Sequence, residues 1–163
     1  RQESDDLATV VSVNISEKKG VRKHQVESIE LRPQWGIVGD AHAGDWHRQI
    51  SLLAEESIDT MRHLGLGHLS PGAFAENINT EGIDLKHLPV GAKLRVGECL
   101  LQVTQIGKEC HQDGCAIFKA TGQCVMPKEG IFAVVLTGGH VRGGDLIAQE
   151  PGTTDEAKPL EAE

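Results

Sequence analysis

Residues 88–110 read LPVGAKLRVGECLLQVTQIGKEC, and this stretch decides the fold. It holds two apolar runs, 93–96 and 99–107, punctuated by Gly91, Gly97 and Gly107. Successive side chains of a strand point to opposite faces, so Leu101 and Val103 face one way and Gln102 and Thr104 the other. Cys99 opens the second run as a small core side chain. Both runs are too short for helices and glycine-bounded, which is how strands joined by tight turns read.

The same pattern recurs on either side. Strands are predicted at 8–15 (Val10, Val11, Val13, Ile15), 25–31, 36–39, 49–53, 74–80, 131–138 and 145–148. The segment SEKKGVRK at 16–23 reads as a basic turn, and the glycine-rich GGHVRGGD at 138–145 as a hairpin turn. One segment changes period: 54–64 carries Ile58, Met61 and Leu64 at helical spacing, with Glu55 and Glu56 in the first turn and Gly65 following. A second short helix is predicted over 114–122. Eight or nine short strands with one or two short helices define a mainly β fold. A closed or partly closed β-barrel removes the unpaired edges of so many strands.

The 163 residues suit one domain and can bury a real core. Gly fills 19 positions, well above its usual share of roughly 7%. Aromatics are Trp35, Trp46, Phe74, Phe118 and Phe132, with no Tyr, so the core rests on Val, Ile, Leu and Ala. Net charge is -8, but 1–6 carry -2 and 151–163 carry -3, leaving -3 for the body. The reading is a flexible N-terminus at 1–7, one domain at 8–150 and a disordered acidic tail at 151–163. The acidic balance and the scarcity of aromatics disfavour nucleic-acid binding. No apolar run approaches a membrane span, and no signal peptide is visible. The four cysteines, 99, 110, 115 and 124, include no C-x-x-C pair, so thiols in a cytoplasmic protein are expected rather than zinc or disulfides.

Four segments hold chemistry. GDAHAGDWHRQ (39–49) sets Asp40, His42, Asp45 and His47 close together, either as metal ligands or as the polar groups of a glycine-bounded loop. Arg48 adds a fixed cation, better suited to an anion such as phosphate than to a bare metal. In IGKECHQDGC (106–115), Lys108 and His111 flank Cys110 and favour its thiolate, while Glu109 and Asp113 oppose it. A nucleophilic or metal-binding Cys110, a Cys110–Cys115 redox pair and two inert thiols all fit. In FAENINTEGID (74–84), Glu76 and Asn77 stand either as an acid, base or ligand, or as a hydrogen-bonded strand end. In MPKEGIF (126–132), Lys128 either meets phosphate or is a solvated turn. No phosphate loop, dinucleotide fingerprint or nucleophile elbow is present.

Taken in order, GIVGDAHAGDWHRQISLL (36–53), PGAFAENINTEGID (71–84), 88–110 and MPKEGIFAVVLTGGHVRGGD (126–145) resemble the MOSC family, named for the C-terminal domain of molybdenum cofactor sulfurases. The resemblance spans roughly residues 9–148 and is nearest to the small stand-alone bacterial branch. It implies a barrel of the pyruvate-kinase type. It also implies that Cys110 either carries sulfur as a persulfide or ligates the molybdenum of the molybdenum cofactor, molybdopterin. Asp40, His42 and Asp45 match the family's G-D-x-H-x-G stretch, and Glu76 and Asn77 its E-N-[IL] stretch. With Arg48 and Lys128 these are the expected cofactor-binding residues. The resemblance further implies partners: a cysteine desulfurase as sulfur donor, or molybdopterin biosynthesis enzymes. A homodimer is one expectation for the assembly. Two other functions fit it, a molybdenum-dependent reductase of N-hydroxylated compounds and a non-catalytic docking module. Arg48, with His42 and Lys128, is expected at the barrel mouth that holds Cys110. The competing expectation is a surface bridge from Arg48 to Asp45 or Asp40.

Overall fold

The computed structural model describes residues 8–18, 21–63, 71–107 and 130–150. The N-terminus at 1–7, the acidic tail at 151–163, the helix expected over 114–122, Cys110, Cys115, Cys124 and Lys128 lie outside the described residues. The strands are β1 Ala8–Ile15, β2 His24–Val26, β3 Ser28–Arg32, β4 Gly36–Ile37, β5 Ile50–Ala54, β6 Ile78–Glu81, β7 Lys93–Val96, β8 Cys99–Ile106, β9 Ile131–Thr137, β10 Gly139–Arg142 and β11 Leu146–Gln149. The helix α1 is Glu55–Met61, and Leu85–His87 makes one 3-10 turn. None of these helices is long and apolar enough to cross a membrane.

Seven strands close a barrel in the order β1-β11-β7-β8-β9-β5-β6 and back to β1, with β2 lying against the far half of β1. Every neighbouring pair is antiparallel except β5 and β6, which run parallel. Parallel neighbours need a crossover, and α1 supplies part of it. The helix has no side-chain N-cap, but Glu55 and Glu56 sit in its first turn and Ile58 and Met61 are buried. A smaller sheet, β10-β3-β4, lies beside the barrel.

One continuous core joins Val10, Val13, Leu52, Ile78, Leu94, Leu101, Val103, Ile131, Ala133 and Val135 with Ile29, Leu31, Ile37 and Val141 of the small sheet. Full burial of each large aliphatic side chain contributes roughly 1.5–3 kcal/mol. Cys99 is fully buried in this core, and burial pushes its thiol up to about 11. A thiol held protonated in this way is packing, not a nucleophile.

The hairpin of β7 and β8 pairs Val96 with Cys99 across Gly97 and Glu98, in agreement with the alternation of residues 93–107. Three segments differ from expectation. The predicted strand 25–31 is split between two sheets, with Glu27 between β2 and β3. The strand expected at 74–80 starts only at Ile78, because residues 71–77 turn around a buried carboxylate described below. The hairpin turn expected over 138–145 contains a strand, β10, with Val141 buried against Ile29 of β3. Gly138 permits that approach: a Cβ there would stand 2.5 Å from the Leu31 carbonyl oxygen.

Candidate functional site

The loop 38–49 enters β5 and contains four of the expected cofactor-binding residues. Asp40, its first, is 7% exposed, and its carboxylate is fully engaged inside the protein. Oδ1 accepts from the Ser16 amide at 3.0 Å and from Lys23 Nζ at 2.9 Å. Oδ2 accepts from the His42 amide at 3.1 Å. Lys23 is itself buried, and its ammonium also donates to Ser16 Oγ at 3.2 Å and to His42 Nδ1 at 3.0 Å. Three donors thus meet three acceptors, which is the condition for burying a lysine at tolerable cost. Asp40 therefore acts on His42 in two ways, through its backbone and through Lys23.

The rest of the loop leans along the barrel wall. Trp46 Nε1 donates to the His42 carbonyl at 2.8 Å, and the His42 and Trp46 rings stack with centroids 6.5 Å apart. His47 Nε2 meets Gln105 Oε1 at 2.8 Å, and Thr104 Oγ1 donates to the His47 carbonyl. Gln105 Nε2 in turn donates to the Gly107 carbonyl at 2.7 Å. The Arg48 guanidinium lies between two aromatic rings, 5.5 Å from the centre of Trp46 and 5.4 Å from that of Phe132. Such placement holds a cation by its attraction to ring faces. Among the described residues, Arg48 Nε is buried with no hydrogen-bond partner and Arg48 makes no ion pair. The surface bridge to Asp40 or Asp45 is therefore not formed; Asp40 is spent on Lys23, and Asp45 is exposed.

Phe132 alternates with Ile131 and Ala133, which belong to the barrel core, so its ring faces outward. The loop accordingly reaches β8 and β9 along the outer wall, next to Gly107 and Gly130. Those two residues close the β8–β9 ladder, Gly107 N donating to the Gly130 carbonyl at 2.7 Å. The chain departs from there toward Cys110 and Lys128, which lie outside the described residues.

Glu76 and Asn77 sit elsewhere, in the turn before β6, bonded to β1 and β5. Glu76 is wholly buried: Oε2 accepts from the Gly72 amide at 2.9 Å and Asn79 Nδ2 at 2.8 Å, and Oε1 from the Phe74 amide at 2.9 Å. Burial raises its carboxyl above the usual range, against the pull of these hydrogen bonds. Asn77 Oδ1 accepts from the Ser51 amide at 3.0 Å and Nδ2 donates to the Asn14 carbonyl at 3.1 Å, joining β5 to β1. The turn that Glu76 holds is fastened to the Asp40 network. Lys23 N donates to the Gly72 carbonyl at 2.9 Å, and a Cβ on Gly72 would stand 2.1 Å from the Lys23 carbonyl oxygen. Lys23 is the residue that sequence reasoning missed. It stands in a basic run and differs in nothing from its exposed neighbours Arg22 and Lys18 except its burial. Among the described residues no cluster of His, Cys, Asp and Glu is arranged to hold a metal ion.

A closed seven-stranded barrel with one parallel pair, carrying a D-x-H loop over its β8–β9 corner, defines the class. The MOSC domain model matches residues 39–148, and the chain belongs to the MOSC domain family. Solved structures share the fold. The YuaD protein from Bacillus subtilis superposes with a TM-score of 0.72 at 21% identity, covering 86% of this chain and 94% of YuaD. YiiM from Escherichia coli gives 0.63 at 22% identity, covering 88% of this chain and 69% of YiiM. YiiM from Geobacillus stearothermophilus gives 0.64 at 21%, with 88% and 75% covered. No curated protein matches the sequence.

Proposed function

We propose that this domain binds the molybdenum cofactor, with Arg48 and His42 meeting its phosphate-bearing end and Cys110 as the thiolate that ligates molybdenum or, alternatively, carries sulfur as a persulfide. The observation that carries the reading is the orphaned, buried Nε of Arg48, on a guanidinium held in place by Trp46 and Phe132. A buried donor without an acceptor is costly, and a bound oxyanion is one way in which the acceptor is supplied. Guanidinium fits an oxyanion, so this chemistry suits a phosphate. Cys110 follows Gly107 by three residues, and Gly107 is bonded through Gln105 to the same loop. Thiolate is a soft ligand appropriate to molybdenum. When bound, the cofactor would supply the redox chemistry of a thiolate-ligated metal; the chain's part is to bind, orient and neutralise it. Asp40, Glu76 and Asn77 support the site from within, and Lys128 is a further candidate for the phosphate.

The test is metal and pterin content of the full chain purified from a molybdate-fed host. Retention of both in the wild type, loss of molybdenum in Cys110→Ala and weakened pterin retention in Arg48→Ala are expected. Absence of pterin from the wild-type protein overturns cofactor binding. Mass spectrometry after incubation with a cysteine desulfurase and cysteine then decides carriage: a one-sulfur adduct lost in Cys110→Ala supports it, and no adduct removes it.

A further inference from the structure

We propose that Lys23 is a positioning residue that locks His42 as the Nε2–H tautomer, making this histidine a hydrogen-bond donor to an oxyanion and not a metal ligand. The use of the donor rests on the anion-binding reading above; the lock itself does not. Lys23 Nζ is 3.0 Å from His42 Nδ1 and 2.9 Å from Asp40 Oδ1, and the lysine side chain has no solvent contact. An ammonium only donates, so His42 Nδ1 must accept. The direction of each bond around the nitrogen agrees. Ser16 Oγ gives its own proton to the Lys18 carbonyl at 3.0 Å and so accepts from Lys23, and Asp40 accepts as a carboxylate. Asp40 offers His42 no competing acceptor for an Nδ1 proton: its Oδ2 is 3.8 Å from that nitrogen and already accepts from the His42 amide.

With Nδ1 accepting, a neutral imidazole carries its proton on Nε2. A histidine that binds a metal through Nε2 needs the reverse arrangement, a proton on Nδ1 given to an acceptor. Lys23 stands where that acceptor would have to be. Whatever meets Nε2 therefore meets a proton. The ring that presents it is stacked on Trp46, the same indole that steadies Arg48. The D-x-H stretch of this chain thus supplies a neutral N–H donor in the loop that also carries the Arg48 guanidinium, and each group suits phosphate or another oxyanion. The lysine is aimed from two sides: its side chain by Asp40 and Ser16, and its backbone by Gly72, in the turn that Glu76 holds.

Nitrogen-15 NMR of the full chain, labelled at histidine, reads the tautomer directly and needs no cofactor. The expected His42 spectrum has a pyrrole-type, protonated Nε2 and a pyridine-type, bare Nδ1. A protonated Nδ1 in the wild type overturns the proposal. Lys23→Met alone strands a buried Asp40, so the variant for comparison is Lys23→Met with Asp40→Asn. Its His42 signals are expected to move toward the averaged values of a free imidazole; unchanged signals in a folded double variant also overturn the proposal. Inorganic phosphate, added to the wild type, separates the two ideas. A shift at Nε2 is expected. A locked tautomer that phosphate leaves unmoved would keep the role of Lys23 and remove the anion-binding reading.

Discussion

Glu76→Gln separates a brace from a ligand. The wild-type carboxylate accepts three hydrogen bonds, two on Oε2 and one on Oε1, from groups that have no access to water. Glutamine has one oxygen. Its least harmful orientation keeps that oxygen between Gly72 and Asn79 and turns the NH2 onto the Phe74 amide, donor against donor. One buried amide then loses its acceptor, at a cost of about 1–3 kcal/mol. The pH dependence has a definite sign. Because burial raises the folded carboxyl, the native state holds this proton to higher pH than the unfolded chain does. Stability from this group is fully present below the unfolded value, roughly 4.3, falls as pH rises toward the folded value, and is level beyond it. Glutamine has no such term, so the deficit of the variant is largest in acid and shrinks as pH rises. Urea unfolding of both proteins across that range measures it. A variant within about 0.5 kcal/mol of wild type at neutral pH, where the ionised carboxylate accepts all three bonds, refutes the brace; a deficit that grows with pH refutes the raised carboxyl instead. A fully stable variant that loses bound pterin would make Glu76 a ligand instead.

Two further outcomes follow from packing. Gly72→Ala sets a methyl group 2.1 Å from the Lys23 carbonyl oxygen at a φ of +88°, and is expected to destabilise by at least about 1–3 kcal/mol and to broaden the His42 signals as the Lys23 backbone moves. Thermal unfolding and the same NMR spectrum check it. Cys99, with its thiol pushed up to about 11, is expected to resist alkylation in the native protein at mildly alkaline pH and to react on unfolding. Peptide mapping of the alkylated protein reads it, and native labelling of Cys99 would contradict the burial described.

The barrel was legible where apolar alternation is local. β1 spans the predicted residues, and β7, β8 and β9 end within a residue or two of them, because the side chains that face the core are the ones that set the pattern. What failed is what long-range partners decide. Residues 74–77 look like a strand, yet Glu76 draws two amides of its own turn inward and uses up the backbone a strand needs. β10 has a single large apolar residue, Val141, and becomes a strand only because β3 lies beside it. The candidate site was half legible. Loop 39–49 was picked out from its residue types, and Arg48 as a cation with no acidic partner among the described residues emerged from the fold. The division of labour within the loop was not readable, since Asp40 pairs with Lys23, 17 positions away in a segment read as a basic turn.

The seam between β1 and β11 has a consequence for how the protein is made. It is short, Ala8 opposite Ile147 and Thr9 opposite Leu146, and it joins the first strand to the last. A nascent chain on the ribosome can form the β7–β8 hairpin early, but it cannot complete the ring until the last strand has left the exit tunnel. Until then part of β1 and one side of β7 are open edges, the kind that recruit strands from other chains. Synthesis slowed just before residue 146, or loss of β11, should therefore appear as aggregation of newly made protein rather than as a folded barrel with one strand missing. Because the seam brings both ends of the ring together, a circular permutant that joins them across it and opens a surface turn elsewhere would move that vulnerable edge.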